Sequence, residues 1–338
     1  MAEGIRVRRP HHLGAGILLT VGALLTTGTQ AATAEAPRPS TNIRTLAATA
    51  AAQQQARDFW TPERMRAAAP LDLLGPRDPL SPGAAPGIPQ RTGKTSTVAP
   101  TAPVEHPATV SAFPQGGGPW SGGGAVLATS GRVFFTHQGR TASCSGNAVT
   151  SDNGSTVLTA GHCVKLKGSW HTNWVFVPGY HDGQAPHGTW VAAKTLATGL
   201  WVASESINYD VGAAVVAPLN GRKLGEVVGG QGLKFNGGYN RPMYAFGFPA
   251  AAPYDGKQLI HCSGNTTKDF LFTTDHALTC DMTGGSSGGP WFDSFNESTG
   301  AGLQASVNSF GYTFLPNKTY GPYFGDEVKS LYEQAQTA

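Results

Sequence analysis

A serine near the end of the chain lies among glycines, in the segment GSSGGP at residues 285–290. Glycines around a nucleophile permit a sharp turn in which backbone N–H groups point at the carbonyl that the serine hydroxyl attacks. Donors preorganised in this way stabilise a tetrahedral oxyanion and lower the barrier by about 3 to 4 kcal/mol each. An ordinary glycine–serine loop has the same composition, so the segment by itself indicates Ser287 only as a candidate nucleophile.

The same letters satisfy the G-x-S-x-G turn of α/β-hydrolases, which place their catalytic histidine after the serine. The chain has ten histidines, and His276 is the last of them, so none follows Ser287. The order of the residues therefore excludes an esterase or lipase of that fold. A base for Ser287 has to come from upstream.

Two upstream segments supply a base and a carboxylate. His162 follows an apolar run in the segment TAGHC (159–163), and Asp210 stands at the edge of apolar and small residues in YDVGA (209–213). Burying a carboxylate is costly unless it is hydrogen-bonded, and a histidine partner would satisfy it while fixing the imidazole tautomer. A lone histidine or a strand-edge aspartate is more often structural. The order His, Asp, Ser with these neighbours nevertheless predicts a catalytic triad.

Composition predicts the elements that must position these residues. Only 13% of the residues are charged, whereas glycine occurs 45 times and proline 24 times. From about residue 120 onward, short apolar runs alternate with turns, and no long helical stretch separates them. Roughly eight to twelve such strands predict an all-β fold, either paired barrels or a sandwich. One helix is expected at the C-terminus, with Asp326 as its cap and Val328, Leu331 and Tyr332 on one face.

The N-terminus has the pattern of an export signal. Arg6, Arg8 and Arg9 precede an apolar run over residues 13–25, and small residues follow it up to Ala34. A run of about 13 to 15 apolar residues is short of the roughly 20 that span a bilayer, which disfavours a membrane anchor. We therefore expect a signal peptide over residues 1–34 that is cleaved near Ala34.

Residues 35–119 are rich in Ala, Pro, Thr and Arg and show little strand alternation. Such a segment cannot bury a core by itself, so we expect it to be largely disordered, with one amphipathic helix possible around residues 47–69. Its place between a signal peptide and a compact domain indicates a pro-segment that is removed from a zymogen. The alternative is a disordered tether that stays attached.

The four cysteines lie between residues 144 and 280. An even number in an exported chain predicts disulfides, and four cysteines allow three pairings. We expect the near-neighbour set, Cys144 with Cys163 and Cys262 with Cys280, which closes two short loops. The competing interpretation is a zinc site, which is disfavoured because no cysteine pair has the close spacing of a zinc knuckle. A bridge at Cys163 would fix the backbone of His162, whose displacement by about 1 Å can cost roughly 100-fold in rate.

Taken together, the TAGHC, YDVGA and GSSGGP segments resemble those of the chymotrypsin (S1-type, trypsin-like) serine proteases, particularly secreted bacterial members. The resemblance covers about residues 120–338. It implies two six-stranded antiparallel β-barrels with the active site in the cleft between them and a C-terminal helix.

The resemblance also implies roles for individual residues. His162 would be the general base and acid, Asp210 its orienting carboxylate, and Ser287 the nucleophile. The oxyanion-hole amides would come from Gly285 and Ser287. The strand segment that pairs with the substrate backbone would be Ser309, Phe310 and Gly311.

Two positions concern activation and specificity. Ser286 stands where animal members have an aspartate that pairs with a new N-terminus, so activation by N-terminal insertion is not expected. Asp281 lies six residues before Ser287, at the position of the base of the primary specificity pocket, and would favour Arg or Lys at P1. The stretch from Thr283 to Ser287 also resembles the glutamyl endopeptidases, and Asp281 could instead cap a turn.

The sequence thus predicts a secreted serine endopeptidase that acts through an acyl-enzyme on protein or peptide substrates. No metal or organic cofactor is expected. The formal net charge is only +3, which gives no argument for a nucleic-acid partner, and we expect a monomer without stable membrane insertion. The rival interpretation is an inactive, protease-like binding module, which would not react with a fluorophosphonate probe.

Overall fold

The computed structural model describes residues 42–71, 92–102 and 112–338. The expected signal peptide at residues 1–34 lies outside this part of the chain. Within it, the helices are α1 (Ala50–Phe59), α2 (Pro62–Ala67), α3 (Ala125–Thr129), α4 (Gly199–Ser204), α5 (Leu224–Val228) and α6 (Asp326–Gln336), with 3-10 turns at Gly161–Cys163 and Ile207–Tyr209. None of these helices is long and apolar enough to cross a bilayer.

The strands of the described residues are short, as the turn-rich composition predicts. In chain order they are β1 (Asn42–Thr45), β2 (Ala69–Pro70), β3 (Ser96–Val98), β4 (Ser130–His137), β5 (Arg140–Ala148), β6 (Thr156–Thr159), β7 (Lys165–Leu166), β8 (Ser169–Trp170), β9 (Thr172–Pro178), β10 (Trp190–Ala197), β11 (Gly212–Val216), β12 (Gly232–Phe235), β13 (Pro242–Gly247), β14 (Ile260–Asn265), β15 (Thr267–Lys268), β16 (His276–Thr279), β17 (Pro290–Asn296), β18 (Ala301–Val307) and β19 (Lys318–Gly321).

The first half of the domain is a closed barrel of six antiparallel strands. Their order is β10–β11–β6–β5–β4–β9, and β9 pairs again with β10, so the sheet closes on itself. Closure removes the exposed sheet edges and encloses a packed apolar interior. That interior is formed by fully buried side chains, among them Val133, Phe135, Leu158, Phe176 and Leu196.

The second half contains a six-stranded sheet of order β14–β13–β17–β18–β12–β3 and a three-stranded sheet of order β15–β16–β19. The disulfide between Cys262 on β14 and Cys280 just after β16 links these two sheets. The all-β class is therefore confirmed, with one closed barrel and a second β unit in two sheets.

The last helix, α6, closes the chain as predicted. Val328, Leu331 and Tyr332 are buried on one face of it and belong to the same apolar cluster as side chains of the first barrel. The cap differs from the expectation, because Gly325 occupies the N-cap position and Asp326 is the first helical residue. The Asp326 carboxylate instead accepts a hydrogen bond from the Asn236 side chain at 2.8 Å.

Residues 42–71 differ from the disorder expected of residues 35–119. Thr49 caps α1 and Thr61 caps α2, and Pro62 at the first position of α2 separates two helices where the sequence predicted one. Trp60 and Met65 are 4% and 2% exposed, within an apolar cluster on the outside of the first barrel. The segment is ordered because it buries its few large apolar residues against the barrel rather than against itself.

Residues 112–119 also belong to the folded part of the chain. Gln115 and Pro119 form bridges with Ser263 and Ile260 of β14, and the Asp281 N–H donates to Gly116 O at 2.9 Å. The second β unit therefore begins before residue 120, the boundary that composition suggested. The composition does not mark this boundary because the glycines at 116–118 look like a linker.

Candidate active site

His162 is positioned by the end of β6 and by a disulfide. The chain leaves β6 through the 3-10 turn Gly161–Cys163, and Cys163 is bonded to Cys144 on β5 with Cα atoms 6.2 Å apart. The structure contains this pairing and the Cys262–Cys280 pairing, which are the two that the sequence predicts. The histidine backbone is thus fixed to two adjacent strands of the barrel.

A second histidine supports this turn. The Nε2 of His171 lies 2.8 Å from the carbonyl oxygen of His162, so Nε2 carries the proton and donates it. Burial lowers the pKa of His171 to about 3, so the ring is neutral at physiological pH. No feature of the sequence near His171 marked this role.

Asp210 accepts hydrogen bonds from three donors that converge on its carboxylate. His162 N donates to Oδ1 at 2.7 Å, and His162 Nδ1 lies 2.7 Å from Oδ2. Ser309 Oγ donates to the same Oδ2 at 2.6 Å. These donors compensate the cost of burying the carboxylate, which has no exposed surface.

The contact with Asp210 fixes the tautomer of His162. An ionised carboxylate only accepts, so Nδ1 carries a proton, and in the neutral form of the ring Nε2 is the atom with the lone pair. His162 Nε2 and Ser287 Oγ are both buried, and neither has a hydrogen-bond partner among the described residues. The loop of Ser287 lies against the histidine turn, since Cys163 Sγ is 3.6 Å from Ser287 O.

The loop that carries Ser287 depends on two glycines with left-handed backbone. Gly285 has φ of +94° and Gly288 has φ of +81°. A Cβ at Gly288 would lie 2.1 Å from Thr159 Oγ1, whereas one at Gly285 would lie 3.0 Å from Phe248 O. A larger residue at either position would therefore strain the backbone, and at Gly288 it would also collide with the barrel.

Ser145 on β5 holds this loop against the first barrel. Its N–H donates to Ser287 O at 2.7 Å, and its hydroxyl donates to Gly285 O at 2.9 Å. The same hydroxyl accepts from Phe248 N at 2.8 Å. Ser145 thus connects the two β units at the loop, and its neighbour Cys144 ties it to the histidine turn.

Asn308 holds the loop from the other side. Its Nδ2 donates to Ser286 O at 3.1 Å and to Phe246 O at 2.9 Å, and its Oδ1 accepts from Trp291 Nε1 at 2.7 Å. Its side chain is fully buried. Its position beside Ser309 is the only sequence signal that could have indicated this function.

The described residues of the site include one group of potential metal ligands. Among the described residues, Cys144, His162 and Cys163 bring ligand-type atoms within 4.8 Å of one another. The disulfide leaves neither sulfur as a thiolate, and thiolates are what zinc binds. The geometry instead combines a buried serine hydroxyl, an imidazole and an orienting carboxylate, which is an arrangement suited to acyl transfer.

Comparisons with known proteins agree with this geometry. A family model of the trypsin-like peptidase domain matches residues 144–300. The crystal structure of the protease Anisep from Arthrobacter nicotinovorans is 42% identical, with a TM-score of 0.60, over 63% of this chain and 98% of that chain. This chain belongs to the trypsin-like serine proteases. It is a serine endopeptidase.

Two further structures are similar to this protease. A thermostable serine protease from an extremophilic microorganism is 38% identical, with a TM-score of 0.60, over 63% of this chain and 99% of that chain. A Glu endopeptidase in complex with MPD is 18% identical, with a TM-score of 0.53, over 68% of this chain and all of that chain, and this likeness concerns the fold alone. A search of curated proteins found no significant match.

The remaining predicted site residues of the protease lie in two places. Ser309, Phe310 and Gly311 follow β18, where Ser309 contacts Asp210 and the Phe310 ring stacks on Tyr320 with centroids 4.9 Å apart. Asp281 lies after the second disulfide, and its Oδ1 accepts a hydrogen bond from the Tyr254 hydroxyl at 2.6 Å. Burial and this carboxylate raise the pKa of Tyr254, so the phenol keeps its proton.

Proposed function

We propose that His162, Asp210 and Ser287 form the catalytic triad of this protease and that it cleaves peptide bonds through an acyl-enzyme. The observation that carries the proposal is the 2.7 Å contact between His162 Nδ1 and Asp210 Oδ2. It leaves Nε2 as the basic atom of the ring, and among the described residues neither Nε2 nor Ser287 Oγ has a hydrogen-bond partner. Hydrogen bonds of this kind commonly tighten only when substrate is bound.

The proposed reaction has two stages. Ser287 Oγ attacks the peptide carbonyl carbon while its proton passes to His162 Nε2, and the tetrahedral intermediate collapses when Nε2 returns that proton to the leaving amine. Water then gives a proton to Nε2 and attacks the ester, and the proton returns to Ser287 as the acid product leaves. Asp210 stays ionised and stabilises the imidazolium in both stages.

The backbone N–H groups of Gly285 and Ser287 are proposed to hold the oxyanion. The left-handed conformation of Gly285 and the two hydrogen bonds from Ser145 support this assignment, because they fix the orientation of the loop before substrate arrives. A preorganised donor costs no reorganisation during the reaction. Each such donor contributes about 3 to 4 kcal/mol to transition-state stabilisation.

For specificity we propose Asp281 as the determinant of a preference for Arg or Lys at P1. The Tyr254 hydroxyl fixes the orientation of the carboxylate through Oδ1. Among the described residues no hydrogen bond is made to Oδ2, which is the atom a guanidinium or ammonium would bind. A glutamyl preference is the alternative outcome of a cleavage-site profile.

We also propose that the protease is exported and matured by removal of an N-terminal segment. Two disulfides suit an oxidising compartment, and the pattern at residues 1–34 is that of a signal peptide. The pro-segment begins at residue 35. Because Ser96–Val98 and residues 112–119 both pair with the second β unit, the maturation cut is expected before residue 96.

The triad is tested by comparing Ser287→Ala and His162→Ala with the parent protease on a peptide substrate. Each change is expected to lower turnover by on the order of 10⁶ and to leave the folded structure intact. Ser298→Ala, at an exposed serine, is the matched control and should keep the parent activity. Turnover of either triad variant within tenfold of the parent would contradict the assignment.

A further inference from the structure

The chain itself crosses the proposed active site at residues 69–71. Strand β2 pairs in parallel with β5, with Ala69 opposite Ala142 and Pro70 opposite Ser143. Leu71 continues this pairing by donating its N–H to Ser143 O at 2.9 Å. The Leu71 carbonyl then accepts the Gly285 N–H, also at 2.9 Å.

This second hydrogen bond occupies a group that the reaction needs. A backbone amide has a single hydrogen, so the Gly285 N–H cannot serve the Leu71 carbonyl and a substrate oxyanion at the same time. We propose that residues 42–71 are a built-in inhibitor, which places the Leu71 carbonyl on an oxyanion-hole donor and has to leave before substrate can be cleaved. The inference rests on the proposed function of Gly285.

The burial of the site agrees with a blocked state. His162, Asp210 and Ser287 all have 0% exposed surface while residues 69–71 are in place. A nucleophile must reach the substrate carbonyl directly, so a hydroxyl with no exposed surface cannot act until part of its cover moves. The carboxylate can remain buried throughout, since it only orients the histidine.

Residues 42–71 are bound to the first barrel by contacts that lie far from the proposed active site. Strand β1 pairs with β10 over four residues. The Trp60 ring lies 5.4 Å from the Phe134 ring, and its Nε1 donates to Asn173 O at 2.6 Å. On α2, the Arg66 guanidinium bonds Asp182 O at 3.2 Å. Because the anchor and residues 69–71 belong to one chain, the effective concentration of the inhibiting strand is high.

The state of the triad indicates what removal of the segment does. The hydrogen bonds from His162 and Ser309 to Asp210 are already made while the segment is bound. The histidine and its carboxylate are therefore already oriented, and activation has to uncover them rather than orient them. This route agrees with Ser286, which lacks the carboxylate that an inserted N-terminus would need.

The test measures how fast a fluorophosphonate labels the uncut chain. After labelling, proteins are separated by size under denaturing conditions, so that only chains of full length are counted. Limited digestion with a metalloprotease, which the probe does not label, supplies the form that has lost residues 42–71, identified by mass. We expect the uncut chain to label at least about tenfold more slowly than this trimmed form, because the probe needs the same oxyanion donors as a substrate.

Two pairs of variants separate the anchor from the inhibiting strand. Trp60→Ala removes a buried ring and should speed labelling of the uncut chain by about tenfold or more, whereas Gln55→Ala, at an exposed position of the preceding helix α1, should not. Leu71→Pro removes the N–H that bonds Ser143 together with the leucine side chain and should also speed labelling. Leu71→Ala shortens the side chain but keeps both backbone bonds, so it should change the rate less. Leu71→Pro keeps the test decisive if Trp60→Ala does not fold.

The outcomes distinguish this inference from the proposed function. Equal labelling rates for the uncut and trimmed forms, both lost in Ser287→Ala, would overturn the inhibitor and leave the triad standing. A trimmed form that does not label at all would overturn the proposed function and the inference with it. Slow labelling of the uncut chain that neither Trp60→Ala nor Leu71→Pro relieves would also contradict the inhibitor.

Discussion

The Ser309 hydroxyl donates a hydrogen bond to Asp210 Oδ2 at 2.6 Å across a sequence separation of 99 residues. Asp210 precedes β11 of the closed barrel, and Ser309 follows β18 of the second β unit. The bond therefore joins the two units at the carboxylate that orients His162. We infer that Ser309 positions Asp210, in addition to the substrate pairing that the sequence predicts for its backbone.

Replacing Ser309 by alanine should lower kcat and leave KM nearly unchanged. A hydrogen bond to a charged group contributes about 1.5 to 3 kcal/mol. If part of this energy serves to orient Asp210, and through it the imidazole of His162, kcat should fall by about tenfold. Steady-state kinetics on a peptide substrate measures this. Ser309→Thr keeps the hydroxyl and should recover much of the rate, whereas an unchanged kcat in Ser309→Ala would refute the positioning role.

The buried His171 should make folding stability fall in acid. Burial lowers its pKa to about 3, whereas an unfolded histidine titrates near 6.5. Between these values the unfolded chain binds a proton that the folded chain does not, so stability decreases as the pH falls through this range. From pH 6.5 to pH 5 one such group contributes about 2 kcal/mol.

Urea unfolding at several pH values tests this prediction in Ser287→Ala, which prevents self-digestion. His171→Gln should make the stability less dependent on pH between 6.5 and 4. His276 remains in that variant and contributes a slope of the same sign, since burial lowers its pKa to about 4. An unchanged slope in His171→Gln would show that the ring does not remain neutral in the folded state.

Asp281 should bias cleavage toward basic P1 residues. Leaving one partner of a buried charge pair without the other costs about 3 to 5 kcal/mol, so Arg or Lys should be preferred over apolar residues by on the order of 100-fold. A peptide-library profile of the parent and of Asp281→Ser measures the bias and its loss. A profile with Glu or small apolar residues at P1, little altered by Asp281→Ser, would show that the side chain points away from the pocket.

The local motifs of the site could be predicted from sequence, but its supporting contacts could not. His162 and Ser287 lie in segments whose composition already indicates a strand end and a sharp turn. Ser145 and Asn308 hold the loop of Ser287 through bonds to residues 140 and 22 positions away. Such contacts follow from the packing of the two β units, and no local pattern records them.

The order of the N-terminal segment could not be predicted from its sequence either, because it depends on contacts with the barrel. Its composition predicts disorder, because an Ala- and Pro-rich stretch has too little apolar surface to form its own core. Trp60 and Met65 are ordered because they pack against apolar side chains on the outside of the barrel. The break between α1 and α2, in contrast, could have been predicted from the sequence, because Thr61-Pro62 is a helix start signal.

The most direct test of the proposed mechanism is to identify the residue that a fluorophosphonate modifies in the trimmed protease. The probe should add one phosphonyl group, and peptide mass mapping should place it on Ser287. Ser287→Ala should remain unmodified, and His162→Ala should react far more slowly because Nε2 no longer takes the proton. Modification of Ser286 or of another serine, or undiminished labelling of Ser287→Ala, would contradict the assignment of Ser287 as the nucleophile.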